Sequence, residues 1–285
     1  MNQRWITVAF FVEGFFLYFL GLGIAKYLGA TILWERVWIG IFWMVCLQFG
    51  GIFLLRSTSK ALTSENNGRP PESPFSSDFI LAIAAFASLA SLTVLMIASR
   101  LFTLEVLLVT LLAVLATFVT ARTIRIADID RFREVVLSLG MAVLVPWFAF
   151  VLQTGEFHRF LPIVTLPVLA LRMTMILSYQ LSTYAHDLNT KNPTLMVRIG
   201  WQNGMTLHNL LILFAFVLIA FGNVVGMPLS IGLPPMAAFV VGSWQIWTMR
   251  RIAQGVKPNW RGLVWGGAAL YGMVIYLYAY SFWIR

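Results

Sequence analysis

The chain has 285 residues, of which 60% are hydrophobic, 15% aromatic and only 11% charged. Ordinary soluble domains carry about 25% charged residues and hide far less apolar surface, so this composition excludes a disordered chain, a fibrous repeat and a water-soluble globule. The net charge of +9 comes from 20 Lys and Arg against 11 Asp and Glu. Apolar stretches keep those cations apart, so it points to anionic lipid at a membrane surface and not to nucleic acid.

Nine stretches have the roughly 20 apolar residues that a spanning helix needs: 5–25, 37–55, 79–98, 102–121, 135–153, 160–181, 204–225, 229–248 and 262–284. The first runs on from Met1–Arg4 without a small-residue cleavage site, and it reads as a retained span. Alternating ten-residue strands are absent from the sequence, so a β-barrel is not indicated. The expected fold is all-α, a single polytopic domain over 1–285.

Nine crossings sort the cations onto two sides. The side of the N-terminus holds fourteen: Arg4, Arg56, Lys60, Arg69, Arg122, Arg125, Arg131, Arg133, Lys191, Arg198, Arg250, Arg251, Lys257 and Arg261. The other side holds five, Lys26, Arg36, Arg100, Arg159 and Arg285, and Arg172 lies within a span. This bias predicts an integral protein of a bacterial cytoplasmic membrane with its N-terminus inside. Two long polar loops, 56–78 and 182–203, follow the second and sixth spans. Their placement predicts two four-helix halves plus a ninth helix, with a site open to the cytoplasm.

The second loop gathers Asp187, Lys191 and Arg198 with Asn189 and Asn192. Cations and amides can hold a phosphate, and Asp187 can take a divalent metal. A solvated connection has the same composition. Glu13 and Arg172 lie deep in spans, where charge is expensive and usually paired, so an ion pair between them is expected. His158, His186 and His208 have no metal-site spacing, the single Cys46 allows no internal disulfide, and no Walker or dinucleotide fingerprint occurs. Arg122–Arg133 forms a basic amphipathic stretch suited to anionic lipid, and Trp34, Trp260 and Trp283 sit where interface anchors belong.

The run from Asp187 through Thr194, Leu195, Val197 and Arg198 to Gly200 resembles the second motif of the UbiA superfamily of intramembrane prenyltransferases. That motif is a pair of aspartates four apart, then Gly-Lys-x-Thr-Leu-x-Val-x-x-Gly. Arg69-Pro70 with Ser73 and Ser77 is similar to the family's Arg-Pro-x-x-Ser-Gly-x-x-Ser segment. The resemblance implies transfer of an isoprenoid chain from its diphosphate to a membrane-embedded aromatic, quinone or tetrapyrrole acceptor. It implies Mg²⁺ bridged to aspartates, with Asp187 as catalytic and metal-binding residue and Arg56, Lys60, Arg69, Lys191 and Arg198 as diphosphate ligands.

Departures from the pattern shift that chemistry. The first aspartate of the second motif falls on Thr183 and its opening Asn on Tyr179, and Lys191-Asn192 stands at the Gly-Lys pair. In the first loop the aspartate positions fall near Phe53, Arg56 and Lys60, and no Asp occurs in 1–77. Only Glu65, Glu72 and Asp78 supply carboxylate there, off the motif spacing. Two expectations follow: a prenyltransferase that holds diphosphate largely with Lys and Arg, or a non-catalytic membrane subunit or lipid-binding protein on the same scaffold. Partners would be membrane lipids, the two lipophilic substrates and a membrane-protein partner, not nucleic acid.

Overall fold

Local hydrogen bonding sets where the apolar stretches begin and end as helices. In the computed structural model, residues 3–66, 76–121, 132–189 and 194–285 are described, and every element among them is helical. They are α1 (Gln3–Tyr27), α2 (Trp34–Asn66), α3 (Ser77–Ala98), α4 (Leu104–Thr120), α5 (Arg133–Leu139), a π-helical turn (Gly140–Leu144), α6 (Val145–Thr154), α7 (Phe160–Asp187), α8 (Leu195–Ile199), α9 (Trp201–Val224), α10 (Leu229–Met236), α11 (Phe239–Ala253) and α12 (Trp260–Trp283). Ser76 Oγ, Thr103 Oγ1 and Asn259 Oδ1 accept from Phe79, Val106 and Gly262 N–H, and so cap α3, α4 and α12. Gly155, in the left-handed region at φ 78°, closes α6.

Eight helical stretches are long and apolar enough to cross a membrane. α4, apolar but only 17 residues, falls below that length. Two expected spans are each built from more than one helix. The 135–153 stretch runs as α5, the π turn and α6, because Pro146 has no N–H to continue the α-helical ladder. The 229–248 stretch divides into α10 and α11 after Pro234 and Pro235.

Both expected loops are shorter than the polarity of their residues indicated. α2 continues as helix to Asn66, so 56–66 is not loop, and α7 continues to Asp187. Polar residues at a span's end extend a helix as readily as they end it, because Lys, Arg, Glu and Gln are good helix formers.

The chain divides into two compact units, Met1–Phe157 and His158–Arg285. This boundary follows the fifth apolar stretch, not the fourth. In unit 1, α1 packs on α6, and α2 packs on α3, α4 and α6. Trp43 fills the centre, its ring 4.6 Å from that of Phe148 and its Nε1 donating to Thr93 Oγ1 at 3.0 Å. Gly21 lies against the Pro146 carbonyl, so α1 and α6 touch backbone to backbone. Arg36 donates to the carbonyls of Leu152 and Gln153 at 3.2 and 3.1 Å, satisfying the open end of α6.

In unit 2, α7 is the central helix and packs against α9, α12 and α8. Glycines again set the separations: Gly267 of α12 faces Ser178, Gly266 faces Gln245 and Trp244, and Gly242 of α11 faces Ile212 and Phe216 of α9. Gln245 Nε2 donates to the Leu263 carbonyl at 2.9 Å and ties α11 to α12.

Gly21→Ala is predicted to destabilise the protein by about 1–3 kcal/mol, because the new methyl meets backbone that cannot give way. Gly272→Ala, where an added Cβ finds nothing within 4 Å, should instead raise stability by about 0.5–1 kcal/mol. Thermal unfolding of the two variants in detergent micelles checks the contrast.

Candidate functional site

The residues singled out in the sequence fall into both units, and each set is described within its own unit. Arg69 and Lys191 lie outside the described residues, as do Arg122, Arg125 and Arg131.

On α2 of unit 1, Arg56 and Lys60 stand one turn apart. The Arg56 guanidinium lies 5.6 Å from the centroid of the Phe53 ring, within cation–π range. Lys60, 53% exposed, pairs with Asp78 in the first turn of α3 at 2.6 Å. Asp78 was legible in the sequence only as a carboxylate off the motif spacing; its role is as this lysine's counter-charge. Beside the pair, the Ser57 and Ser76 hydroxyls lie 3.3 Å apart, and Thr58 Oγ1 donates to the Ala121 carbonyl at 2.9 Å. These contacts tie together the ends of α2, α3 and α4.

In unit 2 the last two turns of α7 and the short α8 form the most built polar arrangement. Thr183 and Asp187 are one turn apart on one face, and Thr183 Oγ1 donates to Asp187 Oδ2 at 2.7 Å. These are the two positions that the resemblance equates with the aspartate pair. The Thr183 hydroxyl holds the Asp187 carboxylate by a charge-assisted hydrogen bond. One turn earlier, Gln180 Oε1 accepts from the Met196 N–H at 3.1 Å and pins the start of α8 to α7. Met196 is fully buried, and its sulfur fills the notch left by Gly204 of α9. Gly200, at φ 81°, makes the corner between α8 and α9. Arg198 is thereby presented on the exposed last turn of α8.

Beneath this end lies a buried clasp that sequence reasoning missed. His208 of α9 is fully buried, with Nε2 3.0 Å from Ser178 Oγ of α7 and Nδ1 3.1 Å from the Asn209 side chain. Ser178 directs its own proton to the Thr174 carbonyl at 3.0 Å. The ring Nε2 is then the donor to Ser178, and a neutral ring needs the Asn209 amide turned to offer its NH₂ to Nδ1. Both ring nitrogens are engaged, and the clasp joins two spans. The only advance signal was three polar residues, Thr174, Ser178 and His208, inside otherwise apolar stretches.

Glu13 is half-buried on α1 of unit 1, whereas Arg172 is 3% exposed at mid-length of α7 in unit 2. His186 is exposed in the last turn of α7. His158, in the connection before α7, accepts the Phe160 N–H at Nδ1 (3.2 Å) and so caps that helix. Desolvation, with the neighbouring Arg159 charge second, pushes its pKa below the usual 6.5.

Among the described residues no group of three or more His, Cys, Asp or Glu could hold a metal ion. Asp187 offers a single carboxylate, enough for one contact to a Mg²⁺ held mainly by phosphate oxygens but not for a clamp. No protein-family model matches the chain, and no curated protein matches it.

Gln180→Ala is predicted to release α8. Amide hydrogen exchange at residues 195–199 should accelerate by about tenfold, the effect of losing roughly 1.4 kcal/mol of local protection, while α9 exchange stays slow. For His158 the neutral ring is the form that the fold favours. Stability from this cap is present above pH 6.5 and declines as the pH falls through the lowered native pKa. An NMR titration of His158 should give a midpoint below 6.5, and His158→Gln should remove the associated acid dependence of unfolding.

Proposed function

We propose that the chain is a nine-span protein of a bacterial cytoplasmic membrane, N-terminus inside, with α4 as its shortest crossing. In this reading it is a divergent UbiA-like prenyltransferase whose diphosphate site includes the α7–α8 end of unit 2. The observation that supports it is the Thr183–Asp187 pair beside the pinned α8. Two side chains at the spacing of an aspartate pair share one face, and a short helix carrying Arg198 is fixed one turn away by Gln180.

The chemistry follows from charge. An allylic diphosphate ionises by breaking its C1–O bond, the electron pair leaving with the diphosphate. The carbocation is attacked by an electron-rich carbon of a lipophilic acceptor, which then loses a proton. Within unit 2, Arg198, with Lys191, would counter the charge that grows on the leaving group. When bound, Mg²⁺ would supply Lewis-acid stabilisation of the same oxygens. A carboxylate repels phosphate, so Asp187 contributes through a cation, and Thr183 fixes its orientation.

A second reading, a non-catalytic lipid-binding relative, draws on a specific contact. Where the resemblance calls for first-loop carboxylates the chain has Lys60, which is held by Asp78.

Purified protein incubated with isoprenoid diphosphates of several lengths and lipophilic acceptors, with and without Mg²⁺, should release diphosphate. Asp187→Ala should lower that release by about 10–100-fold and Thr183→Val by less. No turnover by the wild type under any condition, together with unchanged ligand binding in Asp187→Ala, would leave the non-catalytic reading standing.

A further inference from the structure

Unit 1 contains a cleft that the reading above does not use. α2 approaches α3 and α4 closely, its adjacent Gly50 and Gly51 resting against Phe86 of α3 and the Thr117 methyl of α4. Above that floor α2, α3 and α4 border an open apolar groove of about 430 Å³, within the usual range for ligand pockets. Its walls are Leu54, Phe79, Ala82, Ile83, Phe86 and Phe118, with almost no polar surface. The Phe86 and Phe118 rings stack at 5.0 Å and 15° across the gap. Outward of the cleft, α3 exposes Ile80 and Leu81, a surface suited to hydrocarbon.

One end of this apolar stripe is charged. Phe79, Ala82, Ile83 and Phe86 follow helical spacing, and Asp78 precedes Ala82 by one turn on the same side of α3. Lys60 is held there by Asp78, with Ser57 and Arg56 on the preceding turn of α2 and the Ser76 hydroxyl at the start of α3. Lys60 and Arg56 place two cationic groups at this end of the stripe. The occupant that fits is long, thin and apolar, with an anion at one end.

We propose that the α2–α3–α4 cleft binds an anionic glycerophospholipid of the surrounding bilayer, one acyl chain lying along Phe79–Phe86 and Phe118 and the phosphate meeting Lys60. Charge complementarity selects this occupant over a zwitterionic lipid, and the open, lipid-like outer face of α3 selects it over a folded partner. The proposal gives Lys60 to a bilayer lipid and not to a prenyl diphosphate, and it holds whether or not the chain transfers prenyl groups.

The test uses the full chain in phosphatidylcholine vesicles containing a small fraction of phosphatidylglycerol with a diazirine in its acyl chain. Phosphatidylcholine bearing the same diazirine is the control. After illumination, adducts are mapped by mass spectrometry. Adducts should concentrate on Phe79, Ala82, Ile83, Phe86 and Phe118 and not on Ile80 or Leu81, with the glycerol lipid favoured over the choline lipid. Lys60→Gln should cut that preference by about fivefold, the worth of one cation near an anionic surface. Asp78→Asn should raise it; Lys60 is 53% exposed, and at the largely enclosed Asp78 the amide keeps the shape of the carboxylate. Ala82→Trp should suppress adducts from both lipids in the cleft but not on the outer face of α4, for example at Leu108 and Leu111. Equal labelling by the two lipids, adducts spread evenly over Ile80, Leu81 and the cleft, or a preference untouched by Lys60→Gln would each overturn the proposal. Displacement of the adducts by an isoprenoid diphosphate but not by unlabelled phosphatidylglycerol would also overturn it, because the cleft would then belong to a different ligand.

Discussion

Hydrocarbon offers no hydrogen bonds, and that single deficit governs the architecture. Every backbone N–H and C=O in a crossing segment must find its partner within the protein, which leaves helices as the economical answer for this sequence. Side-chain hydroxyls obey the same constraint. Thr110, Thr117, Thr165, Thr174 and Ser178 each donate to the carbonyl four residues earlier in their own helix. Such residues are thereby compatible with spans that composition alone marks as apolar.

With the backbone satisfied, burial of apolar surface no longer drives helix against helix, and contact must come from close packing and a few polar links. The glycines show how this is achieved. Gly21 against Pro146, Gly50 and Gly51 against α3 and α4, and Gly266 and Gly267 against α11 and α7 are places where a side chain would hold the helices apart. The polar links complement them: Trp43 to Thr93, Arg36 to the end of α6, Gln245 to Leu263, Gln180 to Met196 and His208 to Ser178. Each joins separate helices, and the Gln245, Gln180 and His208 links are fully buried.

The same distinction explains what was readable before the structure. Helix positions were legible because twenty apolar residues in a row have few alternatives, and eight of the nine stretches are helical and apolar over a length that can cross a membrane. Helix ends were not, since Ser182–Asp187 and Ser57–Asn66 are polar enough to be loop yet continue the ladder of the preceding span. Asp187 was conspicuous as the loop's carboxylate, but its partner Thr183 looked like a lost aspartate until the helix placed the two side by side. Gln180, Met196, Ser178 and His208 carried no motif, and their roles depend on contacts between segments that no local pattern encodes. The π turn follows from Pro146, but its position two to six residues before that proline depends on how the turn packs against α1 and α4.

The 28 residues of α7 span about 42 Å as an ideal helix, against an apolar slab about 30 Å thick. Hiding that whole length would require a lean of roughly 45°, beyond the usual range for a transmembrane rod. Its final turns consequently emerge at the depth of the lipid phosphates, where water, ions and headgroups compete for the same donors. Membrane thickness thus sets how far the Thr183–Asp187 ledge stands above the oily layer, and a protein of this build carries a sensitivity to its host bilayer that needs no dedicated regulatory segment.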